Sequence, residues 1–436
     1  EGYRGPLKHL SEVEIRDYEA RASKEFSISN PKVDSVVKGL VTQVDDKRKE
    51  VSIRLGKEMA YLPLKQMKWA RKPNIKVPYY EARVRKPSSV LKPGDVVLVR
   101  ILKKYSDATS KKGSGKKGKG RNKQKAFTWT VALEQRPKAQ GALVCMDAET
   151  GEVKTMLGGR SFGESQFNRA IQSRRQPGSA FKPLIYSAAL DRGMSPVTII
   201  MDSPYVSSPN EAGEVWKPKN YKKKFYGPTL IRTGLAKSRN VITVKILNKI
   251  GVNYAIRYAR SLGIESDLTP DLSLALGSSG VSLMELTRAY AAFANGGTLV
   301  KPFFIKRVLD RGGNVIEENQ PETEPVISKE TAFVMTDLLK AVVSEGTGWR
   351  IRALKRPVAG KTGTTNDLRD AWFMGYTPDL ATGVWVGYDD SREMGKGETG
   401  SRAASPIWLN FMQEVLAGEP VKDFQVPKGV VFAKID

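Results

Sequence analysis

Within RRQPGSAFKP, residues 174–183, Ser179 and Lys182 stand three positions apart. On a helix that spacing turns both side chains to one face, so a hydroxyl and an amine can work together. A serine hydroxyl is a weak nucleophile until a base takes its proton. A lysine amine serves as that base only when neutral, and burial and nearby positive charge both lower its pKa. The same ten residues also read as an ordinary helix start, where Pro followed by Gly-Ser is common. The rest of the chain narrows the chemistry. Its only histidine, His9, lies in a polar N-terminal stretch, which argues against a Ser-His-Asp triad and a His-rich metal site. Its only cysteine, Cys145, excludes an intramolecular disulfide and a Cys-rich zinc site, and reads as a small core residue in the apolar run GALVCMD. No metal or cofactor is expected, and any serine chemistry here needs a base other than histidine.

Two further groups supply matching side chains. KSRN, with Ser238 and Asn240, falls between the helix-like runs GPTLIRTGLA and VITVKILNKIG. KTGT, with Lys361, Thr362, Gly363 and Thr364, reads as part of a strand. Each is weak alone, because Ser and Asn are common loop residues and Lys-Thr-Gly often ends a strand. Together they suggest a division of labour. Lys182 acts as base, with its pKa lowered by burial or by the charge of Lys361. Lys361 stays charged, orients Ser238 and attracts a substrate carboxylate. Thr362 and Thr364 alternate to one strand face, so both hydroxyls can bond that carboxylate. Gly363 lets a substrate lie close against the strand, Asn240 holds its amide, and Ser238 relays a proton to the leaving amine. Ser179, at a helix start, sits where backbone N–H groups point outward and the dipole favours negative charge.

The elements that must position these groups divide the chain. Residues 1–30 are polar and read as a linker segment, with SEVEIRDYEARASKEF as its helical part. Over 31–138 the pattern has period two: KGLVTQV and EVSIRLG flank a DDKRK turn, and MAYLPL, GDVVLVRIL and AFTWTVALE follow. About five short strands in about 100 residues suggest a small all-β, antiparallel, OB-like barrel. Over 139–436, strands at both ends enclose helical segments, which suggests an antiparallel sheet with packed helices, an α+β domain. GALVCMDAETGEVKTMLGG reads as two strands about a turn; VAGKTGTTND and AWFMGYTPDLATGVWVGYDD read as adjacent antiparallel strands. TRAYAAFANGG continues a helix with Leu283, Leu286, Tyr290 and Phe293 on its core face, Ser282 as cap and Gly296 at its end. SPIWLNFMQEVLAG reads as a helix with Ser405 as N-cap, Pro406 first and Gly418 last. Trp372, Phe373 and Tyr376 read as core or groove lining, with Trp372 on the acceptor side.

The 436 residues carry a formal net charge of +26, which favours anionic partners. Much of the excess lies in KKGSGKKGKGRNKQK, residues 111–125, which has no acidic or large apolar side chain and reads as a solvated loop. No aromatic residue interleaves there to stack bases, so nucleic acid is not the expected partner. No window of about 18 apolar residues is present, and no signal peptide. The chain opens on Glu1, as a processed or partial protein would.

The three groups occur in the order Ser-x-x-Lys, Ser-x-Asn, Lys-Thr-Gly that marks penicillin-interacting serine enzymes. With RRQPGSAFKP, GLAKSRNVITVKI, TRAYAAFANGG, AGKTGTTND and DAWFMGYTP, residues 139 to about 418 resemble the transpeptidase domain of class A (bifunctional) penicillin-binding proteins. The barrel resembles the extra domain of many Gram-negative members. The resemblance implies a peptidoglycan D,D-transpeptidase working through a Ser179 acyl-enzyme. Ser179 attacks a stem peptide ending in D-Ala-D-Ala and releases D-Ala, and an amine of a neighbouring stem peptide takes the acyl group. It implies an oxyanion hole from the N–H groups of Ser179 and Thr364, covalent inhibition by β-lactams, and a place at the periplasmic face of the inner membrane. The anchor and glycosyltransferase domain usual in the family are not in this sequence, and an outer-membrane activator or other cell-wall synthesis proteins are the partners it suggests. Two alternatives stand beside it. A class A serine β-lactamase shares the motifs but uses a glutamate in Glu-x-x-Leu-Asn; Leu247-Asn248 and Leu409-Asn410 both lack that glutamate. A nucleic-acid-binding barrel joined to an inactive partner domain fits the charge but not the intact motif set.

Overall fold

The computed structural model describes residues 2–25, 32–105, 127–207 and 215–433, so the basic run 111–125 lies outside the described residues. Two compact units emerge, Glu1–Lys138 and Ala139–Asp436.

In the first unit the period-two segments become β1 (Lys8–His9), β2 (Val36–Asp45), β3 (Glu50–Leu55), β4 (Glu58–Pro63), β5 (Asp95–Lys104) and β6 (Trp129–Glu134). The order β5-β2-β3-β4-β6 closes because β6 also pairs with β5. One pairing departs from the all-antiparallel expectation: β4 and β6 run parallel, Ala60 opposite Trp129. A barrel of five strands cannot alternate direction all the way round, so one parallel neighbour is needed to close it. Val51, Ile53, Leu62, Val97, Val99, Ile101 and Val131 fill the interior. The first residues, expected as linker, are built into this unit. Tyr3 belongs to the core, β1 pairs with β5, and Ile15 and Tyr18 of α1 (Glu12–Glu25) pack on Leu10, Leu40 and Val96. His9 Nδ1 meets Asp95 Oδ1 at 2.7 Å.

The second unit begins with the hairpin β7 (Gln140–Asp147) and β8 (Val153–Leu157). Then come α2 (Lys182–Asp191), the β9 (Ile199–Asp202) and β10 (Gly227–Leu230) pair, α3 (Ile231–Ala236), α4 (Asn240–Ile250), α5 (Val252–Ser261) and α6 (Leu283–Ala294). Two small two-stranded sheets follow, β11 (Thr298–Val300) with β14 (Thr323–Pro325) and β12 (Arg307–Leu309) with β13 (Val315–Glu318). The chain finishes through α7 (Lys329–Ser344), β15 (Ala359–Thr364), β16 (Asp370–Tyr376), β17 (Leu380–Gly387), α8 (Gly400–Ala403) and α9 (Ser405–Val415). The main sheet has the order β15-β16-β17-β7-β8, all antiparallel, so its first and last strands come from opposite ends of the sequence.

Both sheet faces are covered. One carries the larger core, with Phe181, Ile185, Leu286, Tyr290, Leu338, Trp372 and Met374. The other meets α9 through Phe373, Val384, Trp408 and Met412. Cys145 is fully buried on this second side, where burial pushes its thiol up to about 11. Ser282 caps α6 in a capping box with Glu285, as its spacing suggests. Ser405 is not an N-cap. α8 runs almost directly into α9, and the Ser405 hydroxyl donates back to Gly400 O at 3.1 Å.

Trp408 is fully buried, donates to Thr382 O at 2.9 Å, and meets Phe373 edge-on at 5.2 Å. Trp408→Ala is expected to cost about 3–5 kcal/mol in denaturant unfolding, while Ile407→Ala on the solvent side of α9 shifts stability by less than about 0.5 kcal/mol.

Candidate active site

Ser179 sits in a single 3-10 turn, Gly178–Phe181, and Lys182 opens α2 directly behind it. The helix-start expectation is therefore refined: the serine is on a tighter turn feeding the helix, not on the α-helix itself. That turn is pinned from several sides. Trp372 Nε1 donates to Gln176 O at 2.9 Å, Tyr290 donates to Ala180 O at 2.8 Å, and Gly178 N donates to Gly277 O at 3.3 Å. Gly178 has φ +54° and Gly277 φ +67°, both left-handed. A Cβ on Gly277 would stand 2.2 Å from Gly178 O, and one on Gly178 would stand 2.4 Å from Thr364 O. Only glycine fits at either position. Trp372 is fully buried, so it anchors the nucleophile's turn and does not border an acceptor groove.

Lys182 Nζ is buried and donates to Ser238 O at 2.9 Å and Asn240 Oδ1 at 2.8 Å, with Ser238 Oγ further off at 3.5 Å. A neutral amine has two N–H groups and one lone pair. The two short bonds use both hydrogens and leave the lone pair to take a proton. Burial is the main cause that holds the Lys182 pKa well below the ordinary lysine range, and the charge of Lys361 adds to it. That ranks the two causes the sequence leaves open. Among the described residues Ser179 Oγ makes no hydrogen bond; such catalytic contacts tighten in the complex with substrate.

KSRN forms the tight link between α3 and α4. Ser238 has φ +55°, a left-handed conformation that costs a non-glycine residue roughly 1–2 kcal/mol. The bonds Ser238 N to Leu235 O at 2.9 Å and Arg239 N to Gly234 O at 2.8 Å hold it there. Its hydroxyl accepts from Lys361 Nζ at 2.9 Å, which leaves its own hydrogen to donate. Asn240 is more committed than expected: Oδ1 takes the Lys182 bond and Nδ2 donates to Lys219 O at 3.0 Å, leaving one Nδ2 hydrogen for a substrate.

Lys361 is fully buried on β15, between Ser238 Oγ and Thr362 O, the latter at 3.0 Å. Burial draws its pKa down to about 7, so it is less securely charged than the sequence suggests. The two threonines differ. Thr364 Oγ1 accepts from Gly400 N at 3.0 Å and keeps its hydrogen to donate, while the Thr362 hydroxyl is paired with that of Thr347 at 2.7 Å. The close approach at Gly363 is internal: a Cβ there would stand 2.4 Å from Pro177 O and 2.9 Å from Ala180 Cβ. Its missing side chain makes room for the Ser179 turn, not for a ligand against that face.

Two further positioning residues carry no sequence signal. Asn220 is buried; its Nδ2 donates to both Asp202 oxygens at 2.9 and 3.0 Å, and its Oδ1 accepts from Asn240 N at 2.9 Å and Val241 N at 3.2 Å, capping α4. Thr347 ties the link after α7 to β15 and, through its N–H, to Ala236 O at 3.1 Å. Among the described residues, no group of three His, Cys, Asp or Glu side chains is placed to hold a metal.

The Ser179 turn, the buried Lys182 amine, the Ser238 hydroxyl and Lys361 on the neighbouring strand come together on a sheet-and-helix fold. The family model described as penicillin binding protein transpeptidase domain matches residues 141–413, and that of the penicillin-binding protein OB-like domain matches residues 3–139. The chain belongs to the penicillin-binding protein family. It is 43% identical over 356 residues to penicillin-binding protein 1A of Aquifex aeolicus, covering 79% of this chain and 49% of that one. It is 34% identical to penicillin-binding protein 1A of Pseudomonas aeruginosa, covering 100% of this chain and 56% of that protein. The crystal structure of penicillin-binding protein 1A from Haemophilus influenzae superposes with a TM-score of 0.79 at 27% identity, covering 100% of this chain and 65% of that one. That of PonA1 from Mycobacterium tuberculosis in complex with penicillin V gives 0.59 at 26% identity, covering 67% of this chain and 82% of that one. The chain spans about half the length of the curated relatives it matches.

A lysine is charged below its pKa. Lys361 therefore loses its attraction for a carboxylate as pH rises through about 7. For a carboxylate-bearing substrate, kcat/KM is expected to fall above about pH 7, and Lys361→Arg to move that falling limb upward. A limb left unchanged by Lys361→Arg would assign it to another group.

Proposed function

We propose that this chain is a peptidoglycan D,D-transpeptidase that works through an acyl-enzyme on Ser179. Lys182 takes the Ser179 proton as Oγ attacks the carbonyl of the penultimate D-Ala. The N–H groups of Ser179 and Thr364 hold the oxyanion; such donors contribute roughly 2.7–4 kcal/mol each. Ser238, bonded to Lys361, passes a proton to the departing D-Ala amine and is reprotonated by Lys182, which is neutral again for the second step. The terminal carboxylate meets Lys361 and the Thr364 hydroxyl, with Thr362 beneath, and Asn240 meets the donor amide. The amine nitrogen of a second stem peptide then attacks the ester carbonyl; Lys182 takes the amine's proton and returns it to Ser179 Oγ as the ester bond breaks. A β-lactam enters as a donor whose leaving group stays tethered, so it blocks the second step.

The observation that carries this reading is the buried Lys182 amine, bonded at 2.8 and 2.9 Å to motif-two oxygens with Lys361 close behind. In this reading residues 139–436 are the transpeptidase domain and 31–138 an OB-like domain that docks other cell-wall synthesis proteins or an outer-membrane activator. Among the described residues no helix is long and apolar enough to cross a membrane. The reading puts the domain at the periplasmic face of the inner membrane, in a membrane-anchored protein that also carries a glycosyltransferase domain.

Incubated with a pentapeptide ending in D-Ala-D-Ala and an amine acceptor, the protein is expected to release D-Ala and form the cross-linked product, and Ser179→Ala to do neither. With a penicillin, the acyl-enzyme is expected to persist far longer than it takes to form. Fast penicillin turnover would instead mark a β-lactamase.

A further inference from the structure

Beside the candidate site, the segment 215–227 reads VWKPKNYKKKFYG and contains five lysines and no acidic residue. Lys217, Lys219, Lys222, Lys223 and Lys224 are all exposed, and among the described residues none is in a salt bridge. Three aromatic rings lie among them in water: Tyr221 at 77% exposure, Phe225 at 41% and Tyr226 at 43%. Among the described residues, these five cations have no ionic partner, and Tyr221 lies open to water.

The segment is nonetheless held firmly. Asn220, which caps α4, also donates to Lys224 O at 2.9 Å, and Lys223 N donates to Asn220 O at 2.8 Å, so one buried side chain closes the loop upon itself. Asn240 Nδ2 donates to Lys219 O at 3.0 Å. At the far end the Arg239 guanidinium stacks on Tyr226 at 3.8 Å and bonds Thr229 Oγ1 at 2.7 Å. Both ends of the loop thus touch Ser-Arg-Asn itself. Extended chain advances about 3.5 Å per residue, so Lys222–Lys224 stand within roughly 20 Å of Asn240.

We propose that this loop is an extended subsite for the acidic part of the donor peptide, the carboxylate-bearing stretch upstream of the bond that Ser179 attacks. It rests on the reading of Asn240 as the holder of the donor amide. From that amide the peptide runs over a fixed row of ammonium groups, with Tyr221 offering a flat apolar face. Lys361 deals with the one carboxylate at the peptide's end, and the loop with those along its length. Exposed charge pairs are individually weak and screened by salt, so the subsite raises affinity for an anionic donor and does not alter the chemical step.

The test compares two synthetic donors that share the D-Ala-D-Ala end, one with free side-chain carboxylates and one with those groups amidated. The wild-type protein is expected to show a lower KM for the acidic donor, and that advantage to shrink between 20 and 500 mM salt (about 20 and about 500 mM). The variant Lys222→Gln/Lys223→Gln/Lys224→Gln is expected to raise KM for the acidic donor about eightfold, from three pairs of about twofold each. It should leave kcat, the amidated donor and acylation by a penicillin unchanged. Equal KM values for the two donors in the wild-type protein would overturn the inference. So would a variant that loses penicillin acylation, since the lysines would then support the site's structure. Absence of D-Ala release from either donor by the wild-type protein would overturn the transpeptidase reading instead.

Discussion

Lys182 Nζ is buried in the second unit, bonded to Ser238 O and Asn240 Oδ1 and facing a second buried lysine. Removing an ammonium from water costs several kcal/mol even after the protein relaxes. The amine avoids that cost by giving up its proton, and the two oxygens satisfy the hydrogens it keeps. Burial thus favours the basic, neutral form of this amine, in a chain whose one histidine lies in the other unit. The positions of the other catalytic groups follow from this amine. Ser238 must be left-handed to turn its carbonyl toward Lys182 and its hydroxyl toward Lys361. Asn240 must begin a helix so that its side chain reaches the same nitrogen.

The fold holds these groups by packing backbones against backbones. The 3-10 turn of Ser179 lies on β15 at Gly178 and Gly363, positions where a Cβ would collide with Thr364 O or Pro177 O. Tyr290 of α6 and Trp372 of β16 each hold one carbonyl of that turn. The place of Ser179 therefore depends on core residues of helix and strand as much as on its own motif. Asn220 and Asp202 do the same for the second motif, through the first turn of α4. Arginine at the middle of Ser-Arg-Asn is structural as well: it stacks on Tyr226 and bonds Thr229.

What was legible in the sequence was local. Period-two alternation marks β2 to β6 because one strand face is buried, and Ser282 with Glu285 marks the start of α6 because a capping box spans three residues. The three motifs are legible because their residue types do one kind of chemistry together. The rest depends on residues far apart in the chain. Asn220 meets Asn240 with β10 and α3 between them in the chain, Thr347 meets Thr362 15 residues on, and Gly277 meets Gly178 from the segment between α5 and α6. None has a spacing that reveals it. Ser405 looked like a cap because α8, four residues long, leaves no pattern of its own. Gly363 is legible only in part for a related reason: a strand glycine signals close approach, but not that Pro177 and Ala180 are what approach.

The central claim is that a neutral Lys182 makes Ser179 nucleophilic, and its most direct measurement is the rate at which a penicillin adds to the protein, followed by intact and peptide mass spectrometry. The account expects one adduct, on Ser179, in the wild-type protein. In Lys182→Arg, which puts a permanent cation in place of the neutral amine and so removes the base, it expects formation slowed by about 10²–10⁴-fold. An adduct on any other residue, or acylation of Lys182→Arg at the wild-type rate, would contradict it.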